Sequence, residues 1–335
     1  MPAQVIDGNA ISGKMIEDLT AECAVLAKDG KQPHLVAVQC GDPPASRTYV
    51  NSQIKQCEAV GLKYTLDQLA EDASEGIITE KIQELNNDPG VHSIILQMPL
   101  PPGVDAKPIQ AAIAPHKDPE GMNPVNFGGL IYGKTMPGPC TAVSAVELLK
   151  STGVKIEGVP TVVIGHSEIV GKPVVNILLG MNASVTCCHI FTDPAYLKAR
   201  VKEADILFIA TGKRQYGWSQ HAKAYKAWYA DPDNNPKPDM AKLHEDMSPL
   251  VTADMIKPGA AVIDIATNRI PKSFGDDDRA EPNKKGNVKI VTRGDADYKA
   301  CSEVAGYITP VPGGVGPMTT AILLRNCVEL AKASF

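Results

Sequence analysis

The sequence predicts an α/β protein of two domains with parallel strands, on three observations. At 335 residues the chain is long enough for about two domains of ~150 residues each. Apolar runs of strand length alternate with amphipathic segments of helix length, the pattern of strand–crossover–strand units. A strand, a glycine-bounded turn and a helix at Thr161–Leu179 then open a second series of the same kind.

In chain order, Ile11–Lys28 has helical periodicity and His34–Cys40 reads as a buried strand. Ser46–Val60 reads as a helix stopped by Gly61, a residue free to take the left-handed conformation that closes a helix. Gly76–Asn87 is a further helix, and Ser93–Gln97 a strand running into Met98-Pro99-Leu100-Pro101-Pro102. The Pro/Gly-rich turn Gly133–Pro139 precedes a helix over Ala142–Thr152 and marks the domain junction, so residues 1–147, with a returning helix over 318–335, form one domain and 148–317 the other. In the second half, Thr161–Ile164, Ser184–His189, Ile206–Ala210 and Ala261–Ile265 read as strands, Lys172–Leu179 and Met318–Ala333 as helices. Two polar excursions interrupt it. Gln215–Leu250 carries both tryptophans and an amphipathic stretch, His221–Ala230, which suits a surface helical insert, a lid or a dimer contact. Pro271–Asn287 holds a Gly-Asp-Asp-Asp-Arg run.

Composition narrows the function. Hydrophobic residues make up 44% and charged residues 21%, ordinary for a soluble globular protein. The net charge of -5 gives no polybasic surface for nucleic acid or anionic membrane. The first residues lack a basic, apolar leader, and no apolar run reaches the ~18 residues that span a bilayer. The eight cysteines form no CxxC pair, and the seven histidines show no HxH or HExxH spacing. Reduced thiols, a cytoplasmic location and no metal are the expectation.

Two segments carry chemistry. Pro310-Val311-Pro312-Gly313-Gly314-Val315-Gly316-Pro317-Met318-Thr319 is a rigid loop whose glycines let main chain approach a flat ligand. The turn Gly165-His166-Ser167-Glu168-Ile169-Val170-Gly171-Lys172-Pro173 follows a strand and opens a helix, whose free N–H groups and positive dipole end suit a pyrophosphate. It is not GxGxxG, and alone it suits a plain βα turn equally. Ala210-Thr211-Gly212-Lys213 ends another strand where a cofactor's ribose would lie.

Together the segments resemble the methylenetetrahydrofolate dehydrogenase/methenyltetrahydrofolate cyclohydrolase (FolD-type) family. Pro44-Ala45-Ser46-x-x-Tyr49-Val50, Leu96-Gln97-Met98-Pro99-Leu100-Pro101, Lys117-Asp118-Pro119-Glu120-Gly121, Pro139-Cys140-Thr141-Ala142, the turn Gly165–Pro173, Ile256-Lys257-Pro258-Gly259, Val262-Ile263-Asp264, Asn268-Arg269, Gly294-Asp295 and Tyr307 through Thr319 occur in family order. The resemblance implies an N-terminal α/β/α folate domain, a C-terminal Rossmann-like doubly wound parallel sheet and a cleft between them. It implies hydride transfer from 5,10-methylenetetrahydrofolate to NAD or NADP, then hydrolysis of the methenyl product in most members, and typically a homodimer. By the same resemblance Tyr49, Gln53, Gln97 and Glu120 take the catalytic positions, with Pro99, Leu100, Pro312, Gly313 and Gly314 beside the folate. Gly165, His166, Ser167, Ile169, Val170, His189, Thr211, Gly212 and Thr319 take the cofactor positions.

The chain departs from the family pattern at three places. Gln53 stands where the pattern has its catalytic lysine, and Lys55, about 200° further round a helix, points to the opposite face. Hydride loss needs the donor carbon held against the nicotinamide, whereas opening the methenyl bridge needs protons moved, which an amide does not do. The expectation is a dehydrogenase with weak or absent cyclohydrolase, against a fully bifunctional enzyme. Glu120 replaces the usual aspartate, which leaves another pterin carrier such as tetrahydromethanopterin, or folate binding without turnover, as alternatives. His166 stands where many members have an arginine, and Ile190-Phe191, after His189, where they have a serine–arginine pair, groups that meet the 2′-phosphate of NADP, so NAD is slightly favoured, although Lys172 or Lys213 could still reach a phosphate.

Overall fold

The computed structural model describes residues 2–134, 136–272 and 281–335, with the side chains of 44–46, 48 and 49 outside the description. The Gly-Asp-Asp-Asp-Arg run of the second excursion falls outside the described residues. The chain opens with β1 (Gln4–Val5) and α1 (Gly8–Lys28), then alternates through β2 (His34–Cys40), α2 (Pro44–Val60), β3 (Lys63–Leu69), α3 (Glu75–Asn87) and β4 (Ser93–Leu96). Three helices follow, α4 (Ala106–Ala112), α5 (Pro124–Ile131) and α6 (Cys140–Ser151). The second series runs β5 (Pro160–Ile164), α7 (Gly171–Gly180), β6 (Ser184–Cys188), α8 (Pro194–Glu203) and β7 (Ile206–Ile209). The long helix α9 (Lys213–Ala230) and α10 (Met240–Asp246) come next, then β8 (Ala261–Asp264), β9 (Asn268–Pro271), β10 (Ile290–Arg293), α11 (Tyr298–Cys301), β11 (Tyr307–Ile308) and α12 (Val315–Ser334).

Two compact units result. One comprises Asn9–Val146 and Pro317–Phe335, the other Met1–Gly8 and Glu147–Gly316. The first eight residues were expected with the folate domain; they cluster with the other unit because β1 pairs with β11, Gln4 opposite Tyr307 and Val5 opposite Ile308.

The first unit is built on a parallel three-stranded sheet ordered β3-β2-β4. Central β2 is buried along nearly its whole length, as expected of a strand covered on both faces. Its neighbour β3 was not expected. Its side chains alternate between half-buried and exposed, so it lacks the apolar run that marks β2. Val36, Val38, Ile78, Ile82, Ile94 and Ile109 are central to one core layer. Gly61 ends α2 at φ 87°, its N–H returning to the Cys57 and Glu58 carbonyls.

The second unit holds a sheet ordered β1-β11-β8-β7-β5-β6, parallel throughout. From β5 the chain goes to β6 on one side and then to β7 on the other, so β5 is the topological switch point, where such sheets take ligands at the carboxyl ends of their strands. The excursion after β7 is helical. Trp218, Tyr225, Trp228 and Tyr229 of α9 join Met240 and Leu243 of α10, with Ile270 and Val288 beneath them, in a separate small core. That core rests on β9 and β10, an antiparallel pair the sequence did not predict.

Candidate active site

In the first unit the catalytic candidates fall in two groups. Gln53 lies on α2 and is 4% exposed. Gln97, just beyond β4, donates through Nε2 to Gln53 Oε1 at 2.5 Å, and the Tyr64 hydroxyl on β3 donates to the same oxygen at 3.3 Å. Gln97 Nε2 also reaches the Tyr64 hydroxyl at 3.5 Å. Gln53 is therefore pinned in a network of neutral groups. Lys55 is exposed, as its helical angle requires. Tyr64 was missed because its strand was; the alternation of Tyr64, Leu66 and Gln68 after Gly61 was the available signal. Tyr49 also lies on α2, and its side chain is outside the described residues. Pro99 is exposed and Leu100 half-buried in the turn after Gln97.

The second group is the loop 118–121. Asp118 is 2% exposed and accepts from the Asn123 N–H at 2.7 Å, the Asn126 amide at 3.1 Å and the Glu120 N–H at 3.2 Å. Burial raises its pKa, opposed by those donors. Asn326 of α12 donates to the Pro119 carbonyl at 2.8 Å, and the Cys140 thiol to the same carbonyl at 3.4 Å. Gly121 is left-handed, at φ 66°, and a Cβ there would lie 2.4 Å from the Gly138 carbonyl carbon. Glu120 is thus held on a fixed loop. Burial, then the charge of Asp118, pushes its carboxyl up to about 7. It is a group able to exchange a proton near neutrality.

In the second unit the cofactor candidates gather at the carboxyl end of β5 and its neighbours. Gly165 has φ 128°, and a Cβ there would lie 2.4 Å from the Ala210 carbonyl oxygen; at Gly171 it would lie 2.0 Å from the Gly165 carbonyl oxygen. These two glycines serve the tight turn and the close helix–strand approach that a dinucleotide turn needs. Ser167 Oγ accepts from the Val170 N–H at 3.2 Å and the Gly171 N–H at 3.4 Å, ordering the entry to α7. His166 and Ile169 are exposed, and Val170 is half-buried. His189 lies just past β6, one residue beyond the strand expected to contain it. Its ring stacks on His166 with centroids 4.6 Å apart.

Thr211 and Gly212 occupy the turn between β7 and α9, where Gly212 is left-handed. The Thr211 hydroxyl donates to Asp295, and the same carboxylate accepts from the Lys213 N–H at 3.2 Å and the Arg214 N–H at 3.4 Å. Asn268 Oδ1 accepts from the Gln215 N–H at 2.7 Å. Gly294-Asp295 and Asn268 thus cap the start of α9 from a distance. The Lys213 ammonium is held by Ser248, at 3.2 Å to its hydroxyl, and Lys172 pairs with Glu168 at 3.3 Å. Asp264 ends β8 and is 3% exposed; burial raises its carboxyl to about 7, against N–H donors from Ala296 and Ala266 at 2.8 and 3.1 Å. A cavity of about 440 Å³ adjoins it, lined by Arg214, Arg293, Asp297, Thr309 and Val311 among others.

The loop 310–314 also packs in this unit. The Gly8 N–H donates to the Gly313 carbonyl at 3.0 Å, and a Cβ on Gly8 would lie 1.8 Å from the Gly314 carbonyl oxygen. Gly313 is at φ 106°, Gly314 is buried and Pro312 exposed, so backbone rather than side chains forms this surface. Thr319 lies in the first turns of α12. Among the described residues, no group of three or more His, Cys, Asp or Glu could hold a metal ion. No helix there is long and apolar enough to cross a membrane, and all eight cysteines are free thiols.

A parallel sheet with its switch point at β5, and a first βα turn shaped by Gly165 and Gly171, define an α/β protein of the dinucleotide-binding class. Comparison with known proteins narrows the class. Residues 6–120 match the catalytic domain of tetrahydrofolate dehydrogenase/cyclohydrolase, and residues 139–223 and 246–335 match its NAD(P)-binding domain. The unmatched 224–245 falls in the aromatic insert. A protein of Herminiimonas arsenicoxydans named bifunctional protein FolD is 40% identical over 334 residues, covering 99% of each chain. The crystal structure of bifunctional FolD from Campylobacter jejuni is 34% identical, with TM-score 0.79 over 99% of this chain and 100% of that one. The Trypanosoma brucei FolD structure, complexed with NADP cofactor and inhibitor, is 32% identical with TM-score 0.79, over 100% and 99% of the two chains. This chain belongs to the tetrahydrofolate dehydrogenase/cyclohydrolase family.

Proposed function

We propose that the protein oxidises 5,10-methylenetetrahydrofolate to the methenyl form with NAD or NADP, and that its hydrolysis of the methenyl product is weak or absent. The observation that carries the second part is Gln53, buried and bonded to Gln97 and Tyr64 where the family pattern has a lysine. Bound nicotinamide supplies the hydride acceptor. The chain's part in that step is positioning. Tyr49 and Gln97 flank the folate, Glu120 faces its amino-pyrimidine edge, and the backbone of Pro312, Gly313 and Gly314 borders it. Gly165–Val170, His189, Thr211, Gly212 and Thr319 hold the dinucleotide. Hydrolysis needs a group that gives and takes a proton as water attacks, commonly worth about 10²–10⁴-fold in rate, and an amide does neither. NAD is accepted at least as well as NADP, because His166 lacks the fixed charge of an arginine and Ile190 and Phe191 offer no side-chain donors.

One observation favours a second reading, in which hydrolysis survives. Glu120 titrates at about 7 and is a proton carrier in the same unit as Gln53. The two readings separate when reduced nicotinamide and methenyltetrahydrofolate are followed together with each cofactor. Methenyl product accumulating mole for mole with reduced cofactor is the expected result. A methenyl level that never exceeds its non-enzymatic steady state would overturn the first reading in favour of the second.

A further inference from the structure

The peptide that joins Pro119 to Glu120 is held at both of its ends. Its N–H, belonging to Glu120, donates to Asp118 Oδ1 at 3.2 Å. Its carbonyl, belonging to Pro119, accepts from Asn326 Nδ2 at 2.8 Å and from the Cys140 thiol at 3.4 Å. A peptide unit is planar, so fixing both ends fixes the whole unit and the Glu120 Cα attached to it. On the other side of that Cα, Gly121 packs in a left-handed conformation against Gly138. Asn326 Nδ2 also lies 3.5 Å from the Gly138 carbonyl, so one side chain spans both segments that frame Glu120. Asn326 stands on α12, 207 positions along the chain from Pro119 and in the same compact unit.

Asn326 is out of character for its place. It is fully buried, and its sequence neighbours Leu323, Leu324, Cys327 and Val328 are buried apolar residues. A buried amide costs free energy unless its polar atoms are matched, and here only half of it is: Oδ1 has no hydrogen-bond partner among the described residues. Turning the amide over would aim that oxygen at the Pro119 carbonyl, so the orientation is set by the donor. Packing alone does not explain such a half-matched amide, because an apolar side chain would fill the position without the cost. What explains it is the group it holds, the carbonyl beside Glu120.

Resting on the proposed placement of Glu120 against the amino-pyrimidine edge of the folate, we propose that Asn326 is a positioning residue for the substrate: the returning helix α12 sets where the Glu120 carboxylate stands, and so how tightly the pterin is held. A glutamate arm has one methylene and one rotatable bond more than an aspartate, so the backbone beneath it has to be the fixed part. A carboxylate that meets two N–H groups of a planar edge does so through parallel hydrogen bonds, which weaken steeply when misaligned. Asn326 acts through the Pro119 carbonyl and not on the substrate itself. The pterin edge is held alike in the bound substrate and in the transition state, so loosening it raises KM and spares kcat.

Steady-state kinetics of the whole protein test this, with methylenetetrahydrofolate and the preferred nicotinamide cofactor varied in turn. Asn326→Ala should raise the KM for methylenetetrahydrofolate by about tenfold, with kcat and the cofactor KM within about twofold of native. Cys140→Ala removes the weaker donor to the same carbonyl and should raise the folate KM by about threefold. Val328→Ala is the control for packing. It opens a cavity on the same helix, about 200° round from Asn326, and should leave the folate KM at its native value. An unchanged folate KM in Asn326→Ala, an equal rise in Val328→Ala, or a fall in kcat without a rise in KM would overturn the role of Asn326. If Asn326→Ala does not fold, an unchanged folate KM in Cys140→Ala overturns it instead. A native chain that reduces neither NAD+ nor NADP+ with methylenetetrahydrofolate would overturn the dehydrogenase reading on which this role rests.

Discussion

Position 53 and position 166 are the two departures from the family pattern on which the proposed function rests, and their surroundings differ. At position 53 an amide is buried at 4% exposure and bonded on its carbonyl oxygen by Gln97 and Tyr64. At position 166 an imidazole is exposed, its ring tilted against that of His189 with centroids 4.6 Å apart. The difference teaches that a substitution is read through its surroundings. Gln53 is locked into a network that makes it inert, whereas His166 is left open to solvent and to an incoming charge.

The largest effect should come from reversing the first departure. Gln53→Lys should raise hydrolysis of methenyltetrahydrofolate by about 10²-fold or more, the usual worth of a proton-transfer group, while the dehydrogenase rate changes only a few-fold. Decay of supplied methenyl substrate, measured against the buffer rate, checks it; an unchanged rate would show that more than the lysine has been lost.

A titrating group away from both sites sharpens the contrast. Asp264 is a buried carboxyl raised to about 7. Its folded pKa exceeds its unfolded one, so the folded state binds the extra proton, and the resulting stability is present at acid pH and lost as pH rises from about 4 to about 7. In Asp264→Asn that dependence is absent. The stability advantage of the native chain over the variant should therefore shrink by about 3 kcal/mol across this range, as read by urea unfolding at each pH.

Reversing the second departure should do less. His166→Arg introduces a fixed charge and should raise NADP affinity at pH 8 by about tenfold, as read by titration calorimetry with NAD+ and NADP+. Tyr64→Phe is the smallest. It removes one of two hydrogen bonds to Gln53 Oε1 and leaves the Gln97 bond in place, so a loss of about 1 kcal/mol in thermal stability is expected.

The elements with strong local signals were legible. His34–Cys40 is a strand over the expected residues because it is continuously apolar, and Gly61 stops α2 because the turn there needs a left-handed residue. The strands that escaped notice lack such signals. β1 and β11 are two residues each, β3 is half-exposed, and β9 and β10 flank a stretch that reads as polar. The same holds at the sites. Gln53 was visible as a departure because it sits at a fixed spacing from Tyr49. Tyr64 was not, because it meets Gln53 only across a strand pairing. Asp295 stood only as part of a segment that resembles the family, yet it caps a helix whose first residues lie more than eighty positions away, a contact made only in three dimensions.

The chain's route through its two units has a practical consequence. Neither unit is one continuous piece: the segment Glu147–Gly316 is joined by Met1–Gly8, and Asn9–Val146 by Pro317–Phe335. A gene fragment cut at the apparent border would leave β11 as the bare rim of a five-stranded sheet, its outward N–H and C=O groups unmatched. Such a rim templates the addition of strands from other molecules. A stand-alone nucleotide-binding fragment of this protein therefore needs its own first eight residues grafted back, or it should precipitate by edge-to-edge association.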